Sequence, residues 1–95
     1  MYYVYILSNR WHSVFYTGFT NDIQRRIFEH KTKVFKDAFT RRFNVDRLMY
    51  YEMRDTYKDA IAREQEVKHL RREYKMQLIR RMNPGMVDLS IRWSM

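Results

Sequence analysis

The sequence predicts an α+β fold: a small three-stranded, mainly antiparallel sheet flanked by helices, in the order β-β-α-(α)-β-α-α. Three observations carry that prediction. Two runs of β-branched and aromatic residues near the start are separated by a polar break of hairpin length. A third run, Arg-Leu-Met-Tyr-Tyr-Glu-Met at residues 47–53, also reads as a strand. Around these runs, apolar residues recur at helical spacing behind capping residues. Ninety-five residues give room for one domain, expected to span 1–95.

The first strand is expected over residues 2–8 (Tyr-Tyr-Val-Tyr-Ile-Leu-Ser). Nearly every position in it is apolar, so it should be central in its sheet or covered on both faces. Asn9 to Ser13 forms the break, and residues 14–19 make the second strand. Gly18 near its end signals a bulge or a close backbone approach. Asn21, with Gln24 three residues on, then caps a helix running to about Lys31. Residues 33–46 read either way, because Val34, Phe35, Ala38 and Phe39 are helically spaced in a segment that also suits a loop.

Residues 47–53 (Arg-Leu-Met-Tyr-Tyr-Glu-Met) are the third strand. Thr56 caps a helix over about 57–70, with Asp59 near its N-terminal dipole. Another helix follows over about 72–82, with Tyr74, Leu78, Ile79 and Met82 on one face. Asn83-Pro84-Gly85 ends it, since proline cannot continue a helix and glycine tolerates positive φ. In the tail, Val87, Leu89, Ile91 and Trp93 alternate with polar residues, which suits an edge strand or extended arm.

Composition narrows the chemistry. There is no cysteine, which excludes disulfides, thiolate zinc sites and cysteine nucleophiles. No apolar run is long enough to span a membrane, and the N-terminus lacks a signal-peptide pattern, so the cytoplasm is the expected compartment. Nineteen Lys and Arg against eleven Asp and Glu give a net charge of +8. Such an excess points to a polyanionic partner, nucleic acid first and an anionic membrane surface second. The arginine doublets Arg41-Arg42 and Arg71-Arg72 are candidate nucleic-acid contacts, or equally ordinary solvated charge.

Helical geometry singles out two charged residues. A helix advances about 100° per residue, so with Ile23 at zero, Ile27 falls near about +40°, His30 near about −20° and Arg26 near about −60°. Arg25 falls on the far side. In the helix after Thr56, with Ile61 at zero, Glu64 lands near about −60°, within the stripe formed by Tyr57, Ala60 and Val67. A carboxylate on a core-facing stripe is costly unless it is paired or metal-bound. Either Arg26 and Glu64 form a buried ion pair fastening two helices to the sheet, or Arg26, His30 and Glu64 line a cleft. Such a cleft would offer an arginine to phosphate and a carboxylate to a divalent cation. Tyr3, Tyr5, Tyr16, Tyr50 and Tyr51 lie in the expected strands and suit core packing with a satisfied hydroxyl. His12 and His69 read as exposed polar residues.

Tyr3-Val4-Tyr5, Tyr16-Thr17-Gly18, the helix Asn21–His30 with Arg26, the helix Ala60–Lys68 with Glu64, and Asn83-Pro84 form an ordered set over nearly the whole chain. In order and spacing this set resembles the GIY-YIG nuclease domains, particularly the small stand-alone bacterial proteins of that superfamily. The first triplet has Tyr3 in place of glycine, and the second has Thr17 in place of isoleucine. The resemblance implies a GIY-YIG endonuclease-like fold and a divalent-metal-dependent endonuclease acting on DNA, in repair or recombination. It implies that Tyr5 helps activate the attacking water and that Tyr16 positions water or substrate. It further implies that Arg26 stabilises charge on the phosphate, that Glu64 binds one Mg²⁺ or Mn²⁺, and that His30 adds a polar group. Gly18 and Asn83 would support the site. The alternatives are a non-catalytic nucleic-acid-binding module of the same fold, and a basic subunit docking on an acidic protein.

Overall fold

β1 (Tyr2–Ser8) lies in the middle of a three-stranded sheet, with β2 (Phe15–Thr20) on one side and β3 (Arg47–Arg54) on the other. Both pairings are antiparallel. The computed structural model describes residues 1–32 and 38–94. The helices are α1 (Ile23–Thr32), α2 (Ala38–Phe43), α3 (Tyr57–Lys68) and α4 (Arg72–Met82), followed by a 3₁₀ turn at Ile91–Ser94. The architecture is α+β, as the sequence predicts.

The central strand feeds two cores, because successive side chains of a strand point to opposite faces. Val4 and Ile6 pack with Ala60 and Val67 of α3 and Ile79 of α4. Tyr5 and Leu7 pack on the opposite face with Ile23 and Ile27 of α1, Val45 and Leu48. That is why β1 is apolar almost throughout. Complete burial of a side chain such as Ile6 or Leu7 contributes about 1.5–3 kcal/mol over leaving it in water. A register shift against β3 between Ile6 and Leu7 lets Met49 and Tyr50 both join the α3/α4 layer. The β1–β2 connection is held by Asn9, whose Oδ1 accepts from the backbone of Ser13 (2.9 Å) and Val14 (3.2 Å).

Several boundaries differ from the sequence reading. Asp22, not Asn21, caps α1: its Oδ1 accepts from Arg25 N at 3.2 Å, and Thr20 Oγ1 accepts from Asp22 N at 3.1 Å. Both residue types can cap, so only the backbone geometry separates them. Within 33–46, α2 covers Ala38–Phe43 and stops at Asn44, whose φ of 53° is the left-handed conformation common past helix ends. Val34 and Phe35 lie outside the described residues. After α4 the positive φ falls on Met86, not on Gly85. Of the expected apolar face of α4, Ile79 is buried and Leu78 partly so, while Tyr74 and Met82 are exposed.

The tail is not an edge strand. Leu89 N donates to Leu48 O at 2.8 Å, but the neighbouring amide of β3, Leu48 N, is taken by the Asp88 side chain at 3.2 Å. A carboxylate thus occupies the place a ladder carbonyl would need, and the chain turns into the 3₁₀ segment. Leu89 and Trp93 pack into the α1-side core while Val87 and Ile91 stay exposed. Trp93, which could have served a neighbouring molecule, sits 6.0 Å from the Tyr51 ring of its own chain.

Candidate active site

Tyr5 pairs directly with Gly18 across β1 and β2 and is 1% exposed. A Cβ built on Gly18 would stand 2.7 Å from Tyr5 Oη, 2.8 Å from Tyr5 Cζ and 3.1 Å from Tyr16 Cε2. Glycine is required here by the close approach of two rings. Tyr16 lies two residues earlier on the same face, its ring 6.4 Å from that of Tyr5. His30 reaches this face from α1, 6.2 Å from the Tyr5 ring and 5.6 Å from the Tyr16 ring. It is 4% exposed, with Nδ1 3.3 Å from Thr40 Oγ1 of α2. The sequence reading missed Thr40, because α2 is too short to show a period.

A cleft of about 530 Å³ opens beside β2, which among the described residues pairs only with β1. Tyr5, Tyr16, Gly18, Arg26, Glu64 and Lys68 all line it. α1 supplies Arg26 from one side of the sheet and α3 supplies Glu64 from the other. Both wheel positions are as the sequence places them: Ile23, Ile27 and His30 are buried on α1, and Ala60, Glu64 and Val67 on α3. Arg26 Nε lies 3.3 Å from Glu29 Oε1 on its own helix. Glu64 is 7% exposed; its Oε1 accepts from Gln65 Nε2 at 2.8 Å, and Lys68 Nζ stands 4.0 Å from Oε2. Lys68 was not anticipated, although it follows Glu64 by one helical turn. Thr17 Oγ1, on the α3 side because Thr17 pairs with Ile6, is buried with no hydrogen-bond partner among the described residues.

A network the sequence did not reveal fixes α3 to the sheet. Arg63 Nε donates to both oxygens of Glu52 at 3.0 Å, and Tyr50 Oη donates to Glu52 Oε1 at 2.6 Å. Burial, then the hydrogen bond to Glu52, push the Tyr50 hydroxyl up to about 12. Arg63 and Glu64 are adjacent on α3 and about 100° apart around it, so anchoring Arg63 to β3 sets the rotation that turns Glu64 into the cleft.

The remaining expected residues lie elsewhere. Asn83 does not line the cleft: its Nδ2 donates to Met49 O (3.1 Å) and Val87 O (2.7 Å), and its Oδ1 accepts from Val87 N (3.1 Å). It locks the end of α4 to β3. Arg41 and Arg42 are exposed on α2, with Arg42 over the Phe43 ring at 5.4 Å. Arg71 Nη2 donates to Tyr74 Oη at 3.2 Å and lies 3.6 Å from Glu73. Arg72 donates to the carbonyls of His12 and Ser13 and covers the Phe15 ring, clipping the β1–β2 connection to α4.

Comparison with known proteins places this geometry. The family model described as the GIY-YIG catalytic domain matches residues 1–77. A UPF0213 protein of Haloquadratum walsbyi is 39% identical over 77 residues, covering 81% of this chain and 84% of the relative. A UPF0213 protein of Clostridium perfringens is 38% identical over 79 residues, covering 83% of each. The solution NMR structure of a UPF0213 protein from Bacillus halodurans is similar over 96% of this chain and 97% of its own, with a TM-score of 0.57 at 33% identity.

Proposed function

Since the chain belongs to the family of GIY-YIG catalytic domains, we propose that its cleft hydrolyses phosphodiester bonds in DNA, as an endonuclease dependent on one divalent cation. The observation that supports this most directly is that Arg26 and Glu64, borne by helices on opposite faces of the sheet, line one cleft with Tyr5 and Tyr16. Phosphoryl chemistry needs a cation for the phosphate and a hard oxygen for a metal, and these two residues supply them.

The donor set fits Mg²⁺ or Mn²⁺. It comprises the Glu64 carboxylate and, on the same side of β2, the unpartnered hydroxyl of Thr17. Hard divalent cations accept such oxygen ligands and keep several waters. No group of three or more His, Cys, Asp or Glu that could hold a metal occurs among the described residues, so Glu64 would carry the protein's charged share. When bound, the cation would polarise the phosphate and stabilise the leaving oxygen.

The chain's own residues do the rest. The Arg26 guanidinium lies against the phosphate as negative charge grows there, its planar fork matching two oxygens. Tyr16 Oη orients the attacking water. Tyr5 Oη, pinned against Gly18, takes a proton from that water in its phenolate form, while the water oxygen bonds to phosphorus and the P–O bond to the leaving oxygen breaks. A free tyrosine titrates near about 10, so this role depends on the positive charge that Arg26 brings to the cleft. His30 packs against both tyrosine rings and holds them in place.

The test is nicking of supercoiled plasmid at low salt with Mg²⁺ or Mn²⁺, against EDTA and a Glu64→Ala protein. Cleavage lost in both controls, with the variant still folded and still binding DNA, is the expected result. Cleavage retained by Glu64→Ala overturns the metal assignment. Salt-sensitive DNA binding with no turnover by the parent makes the chain a binding module instead.

A further inference from the structure

We infer that Tyr2, Phe19 and Tyr57 form a stacking site for a nucleobase of the strand being cut, beside the phosphate position in the same cleft. The inference rests on the nuclease reading and deepens it. Tyr57 is the first residue of α3 and is 54% exposed, although it lines the cleft. Its ring centroid lies 5.8 Å from that of Tyr2 and 5.7 Å from that of Phe19, with interplanar angles of 68° and 70°. Tyr57 is therefore not stacked face to face on either neighbour.

Folding accounts for Tyr2 and Phe19, which pack partly buried against the α3-side core of Val4, Ile6, Ala60 and Val67, but gives little reason for the more exposed Tyr57, which is not part of that cluster. All three rings line the cleft. The other lining groups decide what these rings receive. Against the single carboxylate of Glu64, Arg26 and Lys68 put two cations in the same cleft, so an occupant with an anionic part is favoured over a purely apolar one. The volume, about 530 Å³, falls in the range of small-molecule sites, about 300–1,000 Å³. A nucleotide unit satisfies both demands, its phosphate meeting the cations and its base the aromatic wall. Every base has a π-face, so such a wall binds without reading sequence. That suits a chain with no base-reading motif in its sequence.

The experiment uses the full chain in EDTA at low salt and follows binding by fluorescence anisotropy. The probes are a labelled single-stranded deoxyoligonucleotide and an abasic deoxyribose-phosphate oligomer of equal length. Tyr57→Ala should weaken binding of the base-bearing strand by about tenfold, from the usual energy of base–aromatic stacking, and leave the abasic strand unchanged. Tyr57→Leu, which keeps apolar bulk without a π-face, should behave like Tyr57→Ala, and Tyr57→Phe like the parent. An equal loss on both probes, or none on either, overturns the stacking site while the nuclease reading stands. A parent that binds neither probe nor plasmid DNA overturns that reading and this inference with it.

Discussion

The Tyr5 hydroxyl fills the space that a side chain at Gly18 would need: a Cβ there would lie 2.7 Å from Tyr5 Oη. Tyr5 cannot simply swing away, because it is 1% exposed and packed between β2 and α1. Gly18→Ala should therefore cost about 1–3 kcal/mol, the usual range for overpacking a filled core. It should also lower cleavage in the fraction that remains folded, because the displaced group is the proposed proton acceptor. Urea denaturation together with nicking rates checks both. Unchanged stability and rate would show that the ring yields without cost.

Asn83 separates structural support from chemistry. Its three hydrogen bonds serve Met49 and Val87, away from the cleft. Asn83→Ala strands the buried Met49 carbonyl and frees the part-buried carbonyl and amide of Val87, for an expected loss of about 1–3 kcal/mol. The rate per folded molecule should stay at the parent's value. A large fall in that rate with little change in melting temperature would place Asn83 in the chemistry instead.

Asp88 gives a pH dependence of known sign. Burial alone would raise its carboxyl, but Lys31 and the Ser90 donors outweigh burial and hold it below the ordinary carboxylate range. A folded-state pKa below the unfolded one means that the contribution is complete near neutrality and fades as pH falls through the folded value. Asp88→Asn should thus cost about 1–3 kcal/mol at pH 7. The gap from the parent should begin to narrow at about pH 4, where a free aspartate titrates, and close only below the lower folded-state value. Thermal melts of both proteins across pH 3–8 would reveal a constant gap if the carboxylate charge were irrelevant.

The arginine doublets should divide by what each already touches. Arg41 and Arg42 make no ion pair with a carboxylate among the described residues, whereas Arg72 donates to His12 and Ser13 carbonyls. Each phosphate contact contributes about 0.9 to the slope of log affinity against log salt. The Arg41→Ala, Arg42→Ala double variant should flatten that slope by up to about two. Arg72→Ala should lower stability and leave the slope nearly unchanged. A salt titration of DNA binding on the three proteins distinguishes the roles, and an unaltered slope in the double variant removes α2 from the interface.

The fold was legible wherever a local pattern carried it. β1 is apolar on both faces because it feeds two cores, and Glu64 stood out because a carboxylate interrupts an apolar helical stripe. What stayed hidden depends on partners distant in the chain. Glu52 and Arg63 are ordinary surface residues until β3 and α3 are packed together. Asp88 gives no sign in the sequence that it will take a β3 amide and end the tail's alternation as a strand. Tyr57 reads as part of the α3 stripe, yet it lines the cleft and is more than half exposed.

The position of β1 also orders events as the chain folds. Its hairpin with β2 closes over a short loop and can form at once. Its other edge must wait for residues 47–54, whose pairs lie 39 to 52 positions further along the chain. Until then Val4, Tyr5, Ile6 and Leu7 present an open, strongly apolar strand edge, the kind that recruits a second chain. The most protected strand of the native protein is thus the most hazardous one in the nascent chain. Closure by β3 is the step that covers this edge.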